Sequence, residues 1–192
     1  MPTKFLLVGL GNPGTQYRGT RHNFGAAAVE RLHRLTANTK CAARTGSLAA
    51  GVRVAVPQTF MNESGLAVSK LVKYYRIEPA DVWLVHDDID LPLGTIRISF
   101  GSSSGGHRGV ASAIEHLGTK EFWRIRLGIG SQTRGRTPTE QYVLQRFTNG
   151  EQLAVSQVLS LAEQTVLASI AAGTIRAITT TVTHGHPAEA ID

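Results

Sequence analysis

Apolar residues along this chain follow two rhythms. Some form short continuous or alternating runs, as strands do; others recur every three or four positions, as on one face of a helix. The run over residues 4–9, Lys-Phe-Leu-Leu-Val-Gly, predicts a buried first strand. Residues 11–22 are rich in Gly, Pro, Asn and Thr and form a loop, after which Phe24, Ala28, Leu32 and Leu35 mark a helix over 24–35. Residues 43–48 and 52–57 predict a hairpin about Ala49-Ala50-Gly51. Val68, Leu71, Val72 and Tyr75 share a helical face, with Asn62 or Ser64 as the cap. Residues 82–86 are an apolar central strand, and 95–100 alternate as a strand. After the flexible loop 101–106 come a helix over 110–117, a strand over 123–129, a polar basic loop over 130–138 and a long helix over 153–172.

Strands alternating with helices predict an α/β fold: a single-domain three-layer sandwich whose mixed central sheet is flanked by helices. The domain is expected to cover residues 1–179, with 180–192 a loosely ordered tail. In such sheets ligands sit at the carboxyl ends of the strands. Two expected strands end in suggestive chemistry, the first running into Asn12 and the central one into Asp87.

The 192 residues suffice for one sizeable core. No apolar run approaches the roughly 18 residues of a membrane span, and the amino terminus reads as a strand rather than a signal peptide. With Cys41 the sole cysteine, no intrachain disulfide forms, which fits a cytoplasmic setting. Charge is uneven. Residues 1–60 carry eight Lys/Arg against one Glu, residues 101–150 seven against three acids, and residues 61–100 four against six. Two separated basic segments suit one face that meets phosphates, although a merely solvated surface has the same composition.

Several local motifs are misleading. Gly9-x-Gly11-x-x-Gly14 matches the dinucleotide fingerprint, but Pro13 lies inside it and the helix starts only after about Asn23. Gly101-Ser102-Ser103-Ser104-Gly105 matches a nucleophile elbow, yet the only Asp after Ser103 is Asp192, at the chain end. His86-Asp87-Asp88-Ile89-Asp90 could hold a hard cation, but Asp87 and Asp88 face opposite sides of a strand. An acidic turn before Leu91-Pro92 is the plainer reading, and no metal is expected. His184 and His186 fall in the tail, and Cys41 reads as a small buried residue.

A more coherent set remains. Thr20-Arg21-His22-Asn23, Asn12-Pro13-Gly14, Phe60-Met61-Asn62, His86-Asp87-Asp88 and Gly105-Gly106-His107 all sit at strand-to-loop or loop-to-helix junctions. With Tyr17, Thr59-Phe60-Met61-Asn62-Glu63-Ser64-Gly65, the stretch Asp87 to Gly94 and Arg124-Ile125-Arg126-Leu127-Gly128, they occur in the order and with spacing similar to bacterial-type peptidyl-tRNA hydrolases, which the chain resembles over about residues 4–170. That resemblance implies hydrolysis of the ester joining an N-blocked peptide to the 3′ end of tRNA. It makes His22 the base, Asp87 the carboxylate that holds the imidazole, and Asn12 and Asn62 amides near the ester. Tyr17, Phe60, Met61 and His107 would line the site of the tRNA end. Arg126 would meet the 5′-phosphate, and Arg97 stands where a Lys is common. No cofactor is implied. The partner is peptidyl-tRNA, not a membrane, and a monomer is expected.

The chemistry is coherent. An ester yields to a positioned water; imidazole takes its proton, and a carboxylate on the other ring nitrogen fixes the tautomer. The chain departs from the family where Gly-Gly-His-Asn-Gly is usual: it has Arg108 in place of the Asn. Ser99 replaces a second common basic residue, and the hairpin is shorter than usual. A non-catalytic RNA-binding relative with the same fold is the alternative, against which the retained His22 and Asp87 argue. Arg108 is expected to swing out toward phosphate, because an unpaired guanidinium is costly to bury.

Overall fold

The computed structural model describes residues 4–33, 35–38, 41–131 and 135–182. Its elements are β1 (Phe5–Gly9), α1 (Phe24–Leu32), β2 (Thr36–Asn38), β3 (Ala43–Ala49), β4 (Val52–Pro57), α2 (Ser64–Tyr75), β5 (Val82–Pro92), β6 (Thr95–Phe100), α3 (Arg108–Leu117), β7 (Trp123–Gly130), α4 (Thr139–Tyr142), α5 (Gln152–Ala172) and β8 (Ile178–Thr181). Among the described residues the strands form one sheet, ordered β2-β3-β4-β1-β5-β7-β6-β8. The centre β4-β1-β5-β7 is parallel, and both flanks are antiparallel. This is the expected three-layer α/β sandwich with a mixed sheet.

The alternation of the strands builds the layers. Leu7 of β1 and Trp83 and Val85 of β5 pack into a cluster with Val29 of α1 and Val158, Ala162 and Val166 of α5. Their neighbours Leu6, Val8, Val82 and Leu84 join Val68 and Leu71 of α2 and Val110 and Ala113 of α3 on the other face. A period of two thus sends each central strand's residues into two cores, which is why these strands read as continuous apolar runs. Cys41 is buried in the second cluster.

The differences from expectation have local causes. The first helix stops at Leu32, with His33 extended, and Leu35 packs against the core from beyond it. Neither Asn62 nor Ser64 caps α2: a 3-10 turn, Met61–Glu63, feeds the helix directly, and no side chain bonds its cap. The central strand runs on to Pro92, because β7 continues to pair with it through Asp88 and again at Pro92. The acidic segment expected as a turn is therefore strand. Thr36–Asn38 is an edge strand beside β3, and β8 pairs with β6 as far as Thr181, past the boundary expected at 179. Residues 183–192, including His184 and His186, lie outside the described residues, as do 132–134 of the basic loop. The helical span Asn149–Ala172 is long and apolar enough, by length and composition, to cross a membrane, contrary to the expectation that no stretch comes near. It buries one stripe, Ala154, Val158, Ala162 and Val166, in the protein core.

Candidate active site

The site grows from a step in the sheet. Gly9, the last residue of β1, pairs with Val85, whereas β5 continues for seven more residues. His86 and Asp87 therefore lie beyond the end of β1, where the first loop folds across them. Two glycines let α1 come close. A Cβ on Gly25 would overlap the Val85 carbonyl, and one on Gly9 would overlap the Gly25 carbonyl. Gly9 of the apparent dinucleotide fingerprint thus serves helix-on-strand contact. The turn Arg21–Asn23, just ahead of α1, delivers His22 to Asp87.

The Asp87 carboxylate is the hub. His22 Nδ1 lies 3.0 and 3.1 Å from its two oxygens, and His107 Nε2 lies 2.9 Å from Oδ1. His107 caps α3: its Nδ1 accepts from the backbone N–H of Gly109 (3.2 Å) and Val110 (3.3 Å). Its proton is therefore on Nε2 and is given to Asp87. His22 donates from Nδ1 to the same carboxylate, which leaves the lone pair on Nε2. Burial alone would raise the Asp87 pKa; the two imidazoles outweigh it and hold the carboxyl well below the usual carboxylate range. His86 gives its Nδ1 proton to the Asp87 backbone carbonyl at 2.7 Å. Burial, reinforced by nearby His107, pushes its pKa well down and keeps it neutral.

Backbone and side chain then fix His22 from behind. His22 N–H donates to Val143 O (2.8 Å) and Arg21 N–H to Gln145 O (2.9 Å). The buried Arg21 guanidinium lies over the rings of Tyr142 and Phe147 and pairs with Glu151 at 2.8 Å. Asn12 is clamped as firmly. Its N–H donates to Asn23 Oδ1 and its carbonyl accepts from Asn23 Nδ2, both at 2.9 Å. Its own Oδ1 accepts from Met61 N–H at 2.8 Å, so the amide nitrogen is the end left to donate.

These residues open on a cavity of about 730 Å³ lined by Asn12, Tyr17, His22, Phe60, Met61, Asn62, Asp87, His107, Arg108 and Arg126, among others. Ten of the eleven expected site residues meet there. The exception is Arg97, which lies opposite Arg126 in the β6·β7 ladder but outside the cavity lining, its Nε donating to Thr179 Oγ1 at 3.2 Å. Tyr17 and Phe60 meet edge to face, with ring centroids 6.4 Å apart. Arg126 pairs with Asp88, and Arg108 points outward to pair with Glu140. Asp88 thus turns to an arginine while Asp87 turns to histidines, and the acidic run does not converge on a cation. His22, Asp87 and His107 do place ligand atoms within 4.8 Å of one another, but the His107 atom facing Asp87 carries a proton rather than a lone pair. In the serine-rich loop, buried Arg124 donates to the carbonyls of Ser102 and Ser103 and to Ser102 Oγ. Among the described residues no hydrogen bond joins Ser103 Oγ to a histidine.

Comparison with known proteins decides the family. Residues 6–189 match the family model for peptidyl-tRNA hydrolase. The chain belongs to the peptidyl-tRNA hydrolase family. It is 40% identical to the peptidyl-tRNA hydrolase of Akkermansia muciniphila over 90% of this chain and 92% of that one. It is 45% identical to that of Geobacillus thermodenitrificans, over 80% and 86%. A crystal structure of the Acinetobacter baumannii peptidyl-tRNA hydrolase superposes with a TM-score of 0.76 at 32% identity, covering 91% of this chain and 94% of that one.

Within this peptidyl-tRNA hydrolase fold, two functional features escape sequence reasoning. Asn23 was visible as the residue after His22, but its clamp on Asn12 closes across 11 residues and uses backbone groups. The Arg21–Glu151 pair joins residues 130 apart. The Thr148–Glu151 capping box was its one local signal: Thr and Glu three apart at the start of the long helix.

Proposed function

We propose that this chain hydrolyses the ester between an N-blocked peptidyl or aminoacyl group and the 3′-terminal ribose of tRNA, freeing the tRNA. The observation that carries this reading is the hydrogen-bonded series His107–Asp87–His22 opening on the cavity, in a chain of this family. Water attacks the ester carbonyl while His22 Nε2 takes its proton. Asp87, held ionised by its two imidazole partners, stabilises the imidazolium that forms. The Asn12 amide N–H faces the developing oxyanion. As the intermediate collapses, the C–O bond to the ribose breaks and the ribose oxygen takes the proton back from His22. The products are a free carboxylic acid and tRNA.

Phe60, 51% exposed, and Tyr17 offer an apolar corner on which a terminal base stacks. Asn62, exposed beside them, supplies an amide to the substrate. Arg97, with only the Thr179 hydroxyl as a side-chain partner among the described residues, serves a phosphate farther from the ester. Arg126, assigned by resemblance to the 5′-phosphate, is committed to Asp88 and is the weaker candidate. We further propose that it acts as a monomer in the cytoplasm, where translation releases peptidyl-tRNA.

The deciding experiment is release of N-acetyl-aminoacyl groups from tRNA by the purified protein. Hydrolysis at an unchanged rate with or without it, while tRNA still binds, would establish the non-catalytic RNA-binding alternative.

A further inference from the structure

We propose that Arg108 is a phosphate ligand for the acceptor end of tRNA, held ready in an exchangeable ion pair with Glu140. The proposal rests on the hydrolase reading above and names the residue by which that site grips the strand next to the ester.

Among the described residues three guanidinium groups line the cavity, and they differ in what it takes to free them. Arg124 is buried and holds the Ser102 and Ser103 carbonyls and Ser102 Oγ; withdrawing it breaks all three hydrogen bonds and pulls a buried side chain from its place. Arg126 neutralises Asp88, whose side chain is only 8% exposed; withdrawing it leaves a buried carboxylate uncompensated. Arg108 is 63% exposed and its partner Glu140 73%. Both regain water when they part, and such exposed pairs hold their members weakly. A phosphate entering the cavity therefore takes Arg108 most easily.

Position agrees with this ranking. Arg108 follows His107, the residue whose Nε2 meets the catalytic carboxylate. Arg108 and His22 line the same cavity, so a strand whose terminal ester lies at His22 has its nearest phosphates in the space that Arg108 borders. The guanidinium fork presents paired N–H donors to phosphate oxygens, which the usual Asn cannot match in charge. Glu140, on α4 at the same rim, is then a built-in competitor: a carboxylate that occupies the fork until phosphate displaces it.

The test uses wild type, Arg108→Asn, Glu140→Gln and the double variant, with N-acetyl-aminoacyl-tRNA as substrate and deacylated tRNA as a binding probe over a salt series. Arg108→Asn should raise KM and the Kd for tRNA about two- to fivefold and reduce the salt slope by about one phosphate's share. Glu140→Gln should lower both constants by a similar factor, and that gain should vanish when Arg108 is already Asn. An equal gain in both backgrounds would show that Glu140 merely repels tRNA, and would overturn the proposal, as would an unchanged salt slope in Arg108→Asn. Wild type that binds tRNA with the expected variant pattern but releases no acyl group would overturn the hydrolase reading alone. Wild type that does neither overturns both.

Discussion

The inner and outer halves of the cavity are built on opposite principles. Inside, Asp87 is 2% exposed and takes N–H donors from two imidazoles, each anchored in turn by backbone: His107 through the first amides of α3, His22 through Val143. Outside, Phe60, Asn62, Arg108 and Glu140 are exposed and have few fixed partners. The difference separates two tasks. Proton transfer needs groups held to fractions of an ångström, whereas a large, charged, mobile substrate needs contacts that exchange with water.

If the inner half performs the chemistry, its loss should dominate every other substitution. His22→Ala is expected to lower kcat by about 10²–10⁴, the usual worth of a positioned general base, while tRNA affinity holds because phosphates carry most of it. Asp87→Asn should also slow turnover severely, since an amide can present its NH2 to His22 Nδ1 and select the wrong tautomer. Steady-state kinetics beside tRNA binding checks both. A His22→Ala protein with normal kcat would end the assignment.

Next comes the clamp on Asn12. Asn23→Ala removes both hydrogen bonds to the Asn12 backbone and leaves every atom that would touch substrate. Misplacement of that kind should cost roughly 10- to 100-fold in kcat with little change in KM. Equal losses in kcat for Asn23→Ala and an Asn12→Ala control would sharpen the point; a loss confined to KM would place Asn12 with the rim instead.

The close approach of α1 gives a third test, on stability. Gly25→Ala forces a Cβ against the Val85 carbonyl, which is backbone and cannot turn aside. We expect about 1–3 kcal/mol of destabilisation, read from denaturant unfolding, and a kcat that falls as α1 and the preceding His22 turn are pushed off the sheet. Full stability would mean that the helix has room to retreat.

The two halves also differ in how far sequence exposes them. His22, Asp87 and Asn12 stand in dense local motifs at strand ends, and a parallel sheet gathers strand ends by its topology. The strands themselves read well because a two-sided core makes them apolar throughout. The edges do not. Thr36-Ala37-Asn38 and Ile178-Thr179-Thr180-Thr181 lack an apolar face, and the β-branched run in the second was the available strand signal. Asp88-Ile89-Asp90 looks like a turn because the ladder with β7 is irregular across it, and the residues that pair on either side, with Asp88 and Pro92, lie some forty residues on. Arg108 and Glu140, 32 positions apart and both at the surface, share no periodicity that would pair them.

The smallest expected effect concerns His86, beneath the hub. In the unfolded chain a histidine takes up a proton near pH 6.5. In the folded protein burial and nearby His107 keep His86 neutral well below that. Below pH 6.5 the unfolded state thus binds a proton that the native state refuses, so stability rises with pH and is lost as pH falls. One proton sets the limit of the slope, about 1.4 kcal/mol per pH unit. Asp87 adds a separate window. Its folded pKa is depressed, so its contribution is complete above the ordinary carboxylate range and is lost only in stronger acid, as pH falls through the folded value. Between pH 6.5 and 5 His86 therefore adds its own acid sensitivity to the fold. A His86→Gln variant, which keeps an N–H for the Asp87 carbonyl and removes the titration, should unfold in urea with a flatter pH dependence over that range. The slope of wild type should exceed it by up to one proton. Identical slopes would show that His86 accepts its proton in place, and that the neutral floor under Asp87 contributes nothing to the pH response of the fold.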